Sequence, residues 1–155
     1  MASSFPIARA QEPEYDKITD VWEASVRATH FFLSEEDIVF YRQLIRNDTL
    51  RQLDVYYIRN ENGRITAFSG IAGGKIEMLF VSPEERGKGL GKHLVVHAVR
   101  FERACLVDVN EQNEQSFAFY RKMGFVPFAR DETDMQGKPF PVIHMKLRTP
   151  DFLHI

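Results

Sequence analysis

Cysteine is almost absent from this chain: among 155 residues only Cys105 occurs. An intramolecular disulfide is excluded, and a reducing, cytoplasmic setting is the expectation. Cys105 lies in the apolar stretch ACLVDV, where a thiol reads as a small core hydrophobe rather than a nucleophile. Long apolar runs are missing too. No stretch approaches the roughly 18–20 residues that cross a bilayer, so no membrane partner is expected. The opening MASSFPIARA lacks the extended apolar segment of a secretory leader. Neither sign of charge dominates: 20 Lys and Arg face 22 Asp and Glu, a formal net charge of −2. That removes the general electrostatic case for nucleic acid. There is no linker, repeat or low-complexity tract, and 44% hydrophobic content over 155 residues suits one domain, 1–155, with a full core.

Periodicity and turn residues give the order of elements. Residues 5–10 suggest a short first strand. Over 16–29, Ile18, Val21, Trp22, Ser25 and Val26 recur on one helical face. Ser34 reads as the N-cap of a second helix, with Asp37 in its acidic first turn. Strands over 54–59 and 64–71 flank Glu61-Asn62-Gly63, a strong hairpin signal. Strand 75–81, helix 89–102, strand 104–109, helix 113–123 and strands 125–134 and 140–147 follow. Hairpins first, then strands alternating with helices, predict a mixed α/β sheet.

The segment 76–92, IEMLFVSPEERGKGLGK, carries the most chemistry. A short apolar strand ends at Ser82-Pro83, and a glycine-rich turn then opens a helix. Backbone N–H groups there, the helix dipole and the cations Arg86, Lys88 and Lys92 make an anion site, usually for phosphate. A Walker loop fails, because His93 follows Gly91-Lys92 and Arg86 holds the upstream glycine position. A dinucleotide fingerprint fails as well, since Lys92 stands where the third glycine belongs. What remains is R-x-x-G-x-G after L-F-V-S-P. A second segment, DVNEQNEQSFAFYRKMGF over 108–125, places Asn113 as N-cap of a short helix and Gly124 just past its end.

The glycine turn resembles the pyrophosphate-binding motif of the GCN5-related N-acetyltransferases (the GNAT family). N-x-x-S-x-x-F-Y-x-K-x-G-F is similar to that family's second motif, matched by Asn113, Ser116, Phe119, Tyr120, Lys122, Gly124 and Phe125. The resemblance is strong over 76–125 and weak before residue 50, and it points to a small bacterial single-domain subgroup. It implies an α/β (α+β) GNAT fold: a mixed, mostly antiparallel sheet of six to seven strands, with central parallel strands splayed apart and about four flanking helices. It also implies acetyl-CoA as co-substrate and direct acetyl transfer to a primary amine on a protein, peptide or small molecule. The backbone of Leu79 and Val81 would pair with pantetheine, the N–H near Phe80 would face the thioester oxygen, and residues Gly87, Lys88, Gly89, Leu90, Gly91 and Lys92 would cradle pyrophosphate beside Arg86. Asn113 would hold the pantetheine side and Lys122 the adenosine phosphates. The alternative is a non-catalytic acyl-CoA-binding sensor or regulatory module.

Acetyl transfer needs a neutral amine, a donor for the oxyanion and a proton for the leaving thiolate. Tyr120 is the candidate acid; outside its motif it would read as a core aromatic. Glu77 is a candidate base or a simple surface carboxylate, placed by alternation on the opposite sheet face from Ile76 and Met78. Asp108 and Asn110 rival it for amine binding or water positioning. The acceptor pocket is expected to use Trp22, Ser25, His30, Phe31 and Phe32, closed by Asp131, Glu132, Thr133, Lys138, Phe140 and Pro141. His30 could bind substrate or act as base, but it reads more readily as a partly buried structural histidine. His93 and His97 stand at i, i+4 with no third ligand, so a solvated helix face is expected and no metal site. His144 and His154 have no evident partner. Edge strands leave both a monomer and a homodimer open.

Overall fold

The structure, a computed structural model, describes residues 5–148; His154 lies outside the described residues. The chain runs β1 (Ile7–Arg9), α1 (Tyr15–Thr29), α2 (Glu35–Leu44), β2 (Asp54–Arg59), β3 (Ile65–Ala72) and β4 (Lys75–Val81). It continues with α3 (Leu90–Glu102), β5 (Leu106–Asn110), α4 (Glu114–Lys122), β6 (Phe125–Asp131) and β7 (Val142–Leu147). The strands form one sheet in the order β1-β2-β3-β4-β5-β7-β6. Every neighbouring pair is antiparallel except β4 with β5. This is the mixed, mostly antiparallel sheet expected, at seven strands and with four principal helices. Among the described residues no helix is long and apolar enough to cross a membrane.

Local chemistry explains the element ends. Ser34 Oγ accepts from the Asp37 amide at 3.1 Å and Asp37 returns the bond at 3.0 Å, so two orphan donors at the start of α2 are satisfied reciprocally. Asn113 Oδ1 caps α4 by accepting from the Ser116 amide at 3.1 Å. Gly63, with φ +83°, closes the β2–β3 hairpin in a conformation that costs other residues a steric penalty. The last turn of α2 widens into a π-helical stretch, Ile45–Thr49.

The sheet separates two cores. On one face α1 and α2 bring Ile18, Trp22, Val26 and Ile38 against Val55, Phe68 and Met78. On the other, α3 and α4 bring Val95, Val99, Tyr120 and Met123 against Ile76, Val107, Phe125 and Met145. Cys105 is exposed, not buried; it precedes β5, in the connection at the sheet's end. His93 and His97 are half-buried rather than solvated. The Phe5 carbonyl lies 3.0 Å from His93 Nε2, and His97 stacks edge-on to Tyr56.

One register shift corrects the expected alternation of β4. Gly70 pairs with Met78 but Ile71 pairs with Ile76, so Glu77 is an extra residue opposed by nothing on β3. Such a bulge bends and twists its strand. Ile76 therefore joins the core under α3 and α4, whereas Met78 and Phe80 join the core under α1 and α2. The two apolar residues flanking Glu77 do not share a face.

Candidate functional site

Beyond the bulge, β4 leaves its parallel neighbour. The β4–β5 pairing is confined to Lys75↔Leu106 and Ile76↔Val107, and the strands then diverge around a cleft of about 510 Å³. Hydrogen-bond phase tells which backbone groups face that cleft. The Ser82 amide donates to the Thr66 carbonyl of the β3 side at 2.8 Å. By alternation, Met78 and Phe80 also bond toward β3, and the N–H and C=O of Leu79 and Val81 point into the cleft. The Phe80 amide itself thus points toward β3, and the nearest amides facing the cleft are those of Leu79 and Val81. On β5, Leu147 N–H donates to Cys105 C=O at 2.8 Å and Glu111 N–H to Pro141 C=O at 2.9 Å. That phase turns the backbone of Asp108 and Asn110 toward the same cleft.

The cleft opens at the glycine turn. Gly87 and Gly89 have φ of +78° and +84°, and a Cβ on either would meet nothing within 4 Å. Conformation, not space, requires glycine at both. Gly89 caps α3, whose first-turn amides lack intrahelical acceptors, and exposed Arg86 and Lys92 line the same wall. Free first-turn amides beside two cations are the chemistry that suits an anion. Lys88 turns away: it pairs with Glu85 at 3.2 Å and lines a different hollow. Lys122 is exposed and lies outside the cleft wall.

Tyr120 is 6% exposed and lines the cleft. Phe119 and Phe125 pack edge-on to its ring, at 5.0 and 5.5 Å between centroids. Burial raises the pKa of its phenol, so the proton stays in place at neutral pH. Nearby, Asn113 and His30 form a closed network. Asn113 Oδ1 is taken by the helix cap, so its Nδ2 donates to His30 Nε2 at 3.2 Å. His30 Nδ1–H then donates to Thr29 Oγ1 at 2.8 Å, and Thr29 donates to the Ser25 carbonyl at 2.8 Å. Burial first, and the Arg86 cation second, lower the His30 pKa to about 4. His30 is a neutral strut whose lone pair is already engaged.

A second cavity, about 460 Å³, adjoins the cleft from the α1–α2 side. His30, Glu77, Met78, Phe80, Asp108 and Asn110 line both. Its apolar walls include Trp22, Phe32, Tyr41 and Phe140. Its far side is acidic, but most of the carboxylates have partners. Asp134 accepts from Tyr41 Oη and from the amides of Gln136 and Lys138. Glu132 pairs with Arg130 at 2.6 Å. Asp108 is held by Lys75 through Oδ2 and by His144 Nδ1 at 2.6 Å through Oδ1, and His144 Nε2 reaches Asp131 at 2.7 Å. Glu77 alone among the carboxylates of this wall forms no hydrogen bond or ion pair with the described residues. Glu77 is itself exposed to solvent at this junction; the partial desolvation it undergoes there raises its pKa, Lys75 opposes the rise and Asp108 adds to it.

The structure thus brings together Tyr120, Glu77, Asp108, His30, Asn113 and the glycine turn, with Trp22 in the second cavity. Phe31 does not join them: it is 81% exposed and lines neither cavity. His144 is the residue the sequence did not reveal. Its signal was only its place in the last strand; the register that sets it opposite Asp108 is a tertiary fact. No group of three or more metal-ligating side chains occurs among the described residues.

With this geometry in view, comparisons with known proteins agree with one another. The model of the acetyltransferase (GNAT) domain matches residues 52–127. Peptidyl-lysine N-acetyltransferase YjaB of Escherichia coli is 36% identical over 139 residues, covering 90% of this chain and 94% of that protein. The solution structure of apo-form YjaB from Escherichia coli superposes with a TM-score of 0.82 at 35% identity, covering 92% of this chain and 96% of that one. A Thermoplasma acidophilum PaiA N-acetyltransferase solved with coenzyme A shares the fold, with a TM-score of 0.73 at 21% identity, covering 94% and 100%.

The His30 network makes acid stability measurable. An imidazole with a folded-state pKa near 4 and an ordinary value near 6.5 in the unfolded chain contributes its full stability above about pH 6.5 and loses it as pH falls toward 4. The loss approaches roughly 3 kcal/mol. Chemical denaturation of the wild type should show this loss between pH 6.5 and 4 on top of that of the other titrating groups, and His30→Gln should show a shallower slope. Equal slopes would contradict a neutral, buried His30.

Proposed function

The chain belongs to the GCN5-related N-acetyltransferase family, whose members transfer acetyl to amines, and from that premise we propose how its two cavities divide the reaction. The cleft between β4 and β5 takes acetyl-CoA, and the second cavity takes a polypeptide lysine. The observation that carries this reading is the meeting of the two cavities at Glu77, Phe80 and Asp108. The sensor alternative gains no support, since the relatives that span 90% of the chain are named as transferases.

The residues fit the coenzyme on features of this structure. Leu79 and Val81 present unpaired strand-edge groups, which suit a pantetheine arm lying as an added strand. The first-turn amides of α3, with Arg86 and Lys92, suit a pyrophosphate. Tyr120 Oη has no hydrogen-bond partner among the described residues and faces the cleft. Bound acetyl-CoA supplies the thioester carbonyl that an amine attacks.

This chain's residues do the rest. Trp22, Phe32, Tyr41 and Phe140 provide aromatic walls for a lysine stem and attract its cation. Glu77, unpaired and raised in pKa, takes one proton from the ammonium so that the nitrogen regains its lone pair. Asp108 is less suited to that step because both its oxygens are engaged. The Leu79 amide donates to the developing oxyanion. As the C–S bond breaks, Tyr120 passes its phenolic proton to the departing sulfur, the nitrogen of the adduct gives up its surplus proton to solvent, and solvent reprotonates Tyr120 and deprotonates Glu77.

Two variants test the coenzyme side. Tyr120→Phe should lower kcat with acetyl-CoA and a single-lysine peptide by about 10²-fold, with acetyl-CoA affinity by calorimetry changed less than about threefold. Wild-type kcat in that variant would remove Tyr120 from the mechanism. Gly89→Val forces a β-branched residue to φ +84°, a strain of about 1–2 kcal/mol. Acetyl-CoA should then bind at least roughly tenfold more weakly; unaltered affinity would displace the pyrophosphate from this turn.

A further inference from the structure

We propose that His144 is a positioning residue for the transfer: with Lys75 it clamps the Asp108 carboxylate beside Glu77, and the charge of this clamp decides when Glu77 can accept the acceptor's proton. The inference rests on Glu77 as the base.

The geometry begins with strand register. Asp108 and His144 are direct cross-strand partners of β5 and β7, so their side chains share a face and meet. His144 Nδ1 lies 2.6 Å from Asp108 Oδ1 and its Nε2 lies 2.7 Å from Asp131 Oδ2. Ionised carboxylates only accept, so both ring nitrogens donate and the ring is an imidazolium. Its pKa is raised, first by Asp108 and then by Asp131. Lys75 completes the clamp from β4. Asp108 is therefore fixed between two cations, at the junction where Glu77 stands without a partner.

The other charged groups near Glu77 are already compensated or neutral. His30, at the end of α1, is neutral. Asp131 is bonded to His144, Glu132 to Arg130, and Asp134 to Tyr41. Arg86 acts from the coenzyme side, where its cation is felt at His30. The field at Glu77 thus depends on a near anion, Asp108, and on how completely Lys75 and His144 offset it. Removing the anion makes Glu77 easier to ionise. Removing the imidazolium leaves Asp108 less compensated and makes Glu77 harder to ionise. A purely mechanical brace would not produce shifts of opposite sign.

The test is a ¹³C NMR titration of the Glu77 carboxyl in the intact protein, with Glu77→Gln used to assign the signal. Relative to wild type, Asp108→Asn should lower the Glu77 midpoint and His144→Gln should raise it, each by roughly half a pH unit or more. His144→Phe, which removes the charge but keeps a ring at this position, should also raise it and serves if His144→Gln does not fold. Midpoints unchanged in the variants, or moved in one common direction, would overturn the clamp. The underlying reading fails separately: wild-type turnover of a single-lysine peptide by Glu77→Gln would remove Glu77 as base whatever the titrations show.

Discussion

One extra residue in β4 governs the active region. Because Glu77 has no partner on β3, the strand bends there and its pairing with β5 stops after Ile76↔Val107. The same bulge puts Ile76 and Met78 into different cores, so each side of the bend is anchored by buried apolar side chains at 1% and 8% exposure. Anchoring on both faces resists closure of the gap. The cleft, the free strand-edge groups of Leu79 and Val81, and the position of Glu77 all follow from this one irregularity. A regular β4 would pair with β5 throughout and leave no room for a ligand.

Electrostatics divides the site by a similar economy of parts. The mouth proposed for the coenzyme is positive, from helix amides, Arg86 and Lys92. The wall proposed for the acceptor is negative, but its carboxylates are mostly tied to Lys75, His144, Arg130 or backbone amides. Fixed, compensated charges hold shape, and Glu77, the carboxylate of that wall without a partner among the described residues, stands with Asp108 where the two cavities meet. The buried histidine that lines the same junction, His30, is neutral and fully bonded, so it supports the wall rather than taking up a proton. Tyr120 keeps its proton because burial among Phe119 and Phe125 disfavours the phenolate.

The parts of this design encoded in short stretches were legible. The strand–turn–helix of 76–92, the Asn113 cap and the hairpin at Gly63 rest on local chemistry, and the structure places them within a few residues of expectation. The bulge was not legible: IEMLF contains no glycine or proline to mark it, and it exists only because β3 offers one residue fewer between Gly70 and Ile71. The partners of His144 lie 36 and 13 positions away, beyond any local pattern. Phe31 and Cys105 misled for a related reason. Phe31 was placed by its position between the first helices and Cys105 by its apolar neighbours, whereas the exposure of each is set by where an element ends.

The central claim is that the splayed edge of β4 receives acetyl-CoA as an added strand. Amide hydrogen exchange of Leu79 and Val81, followed by NMR with and without saturating acetyl-CoA, tests it most directly. Both amides should exchange readily in the free protein and become strongly protected on binding, while the Phe80 amide, already bonded to β3, should change little. Unchanged exchange at Leu79 and Val81 in a protein that demonstrably binds acetyl-CoA would contradict it.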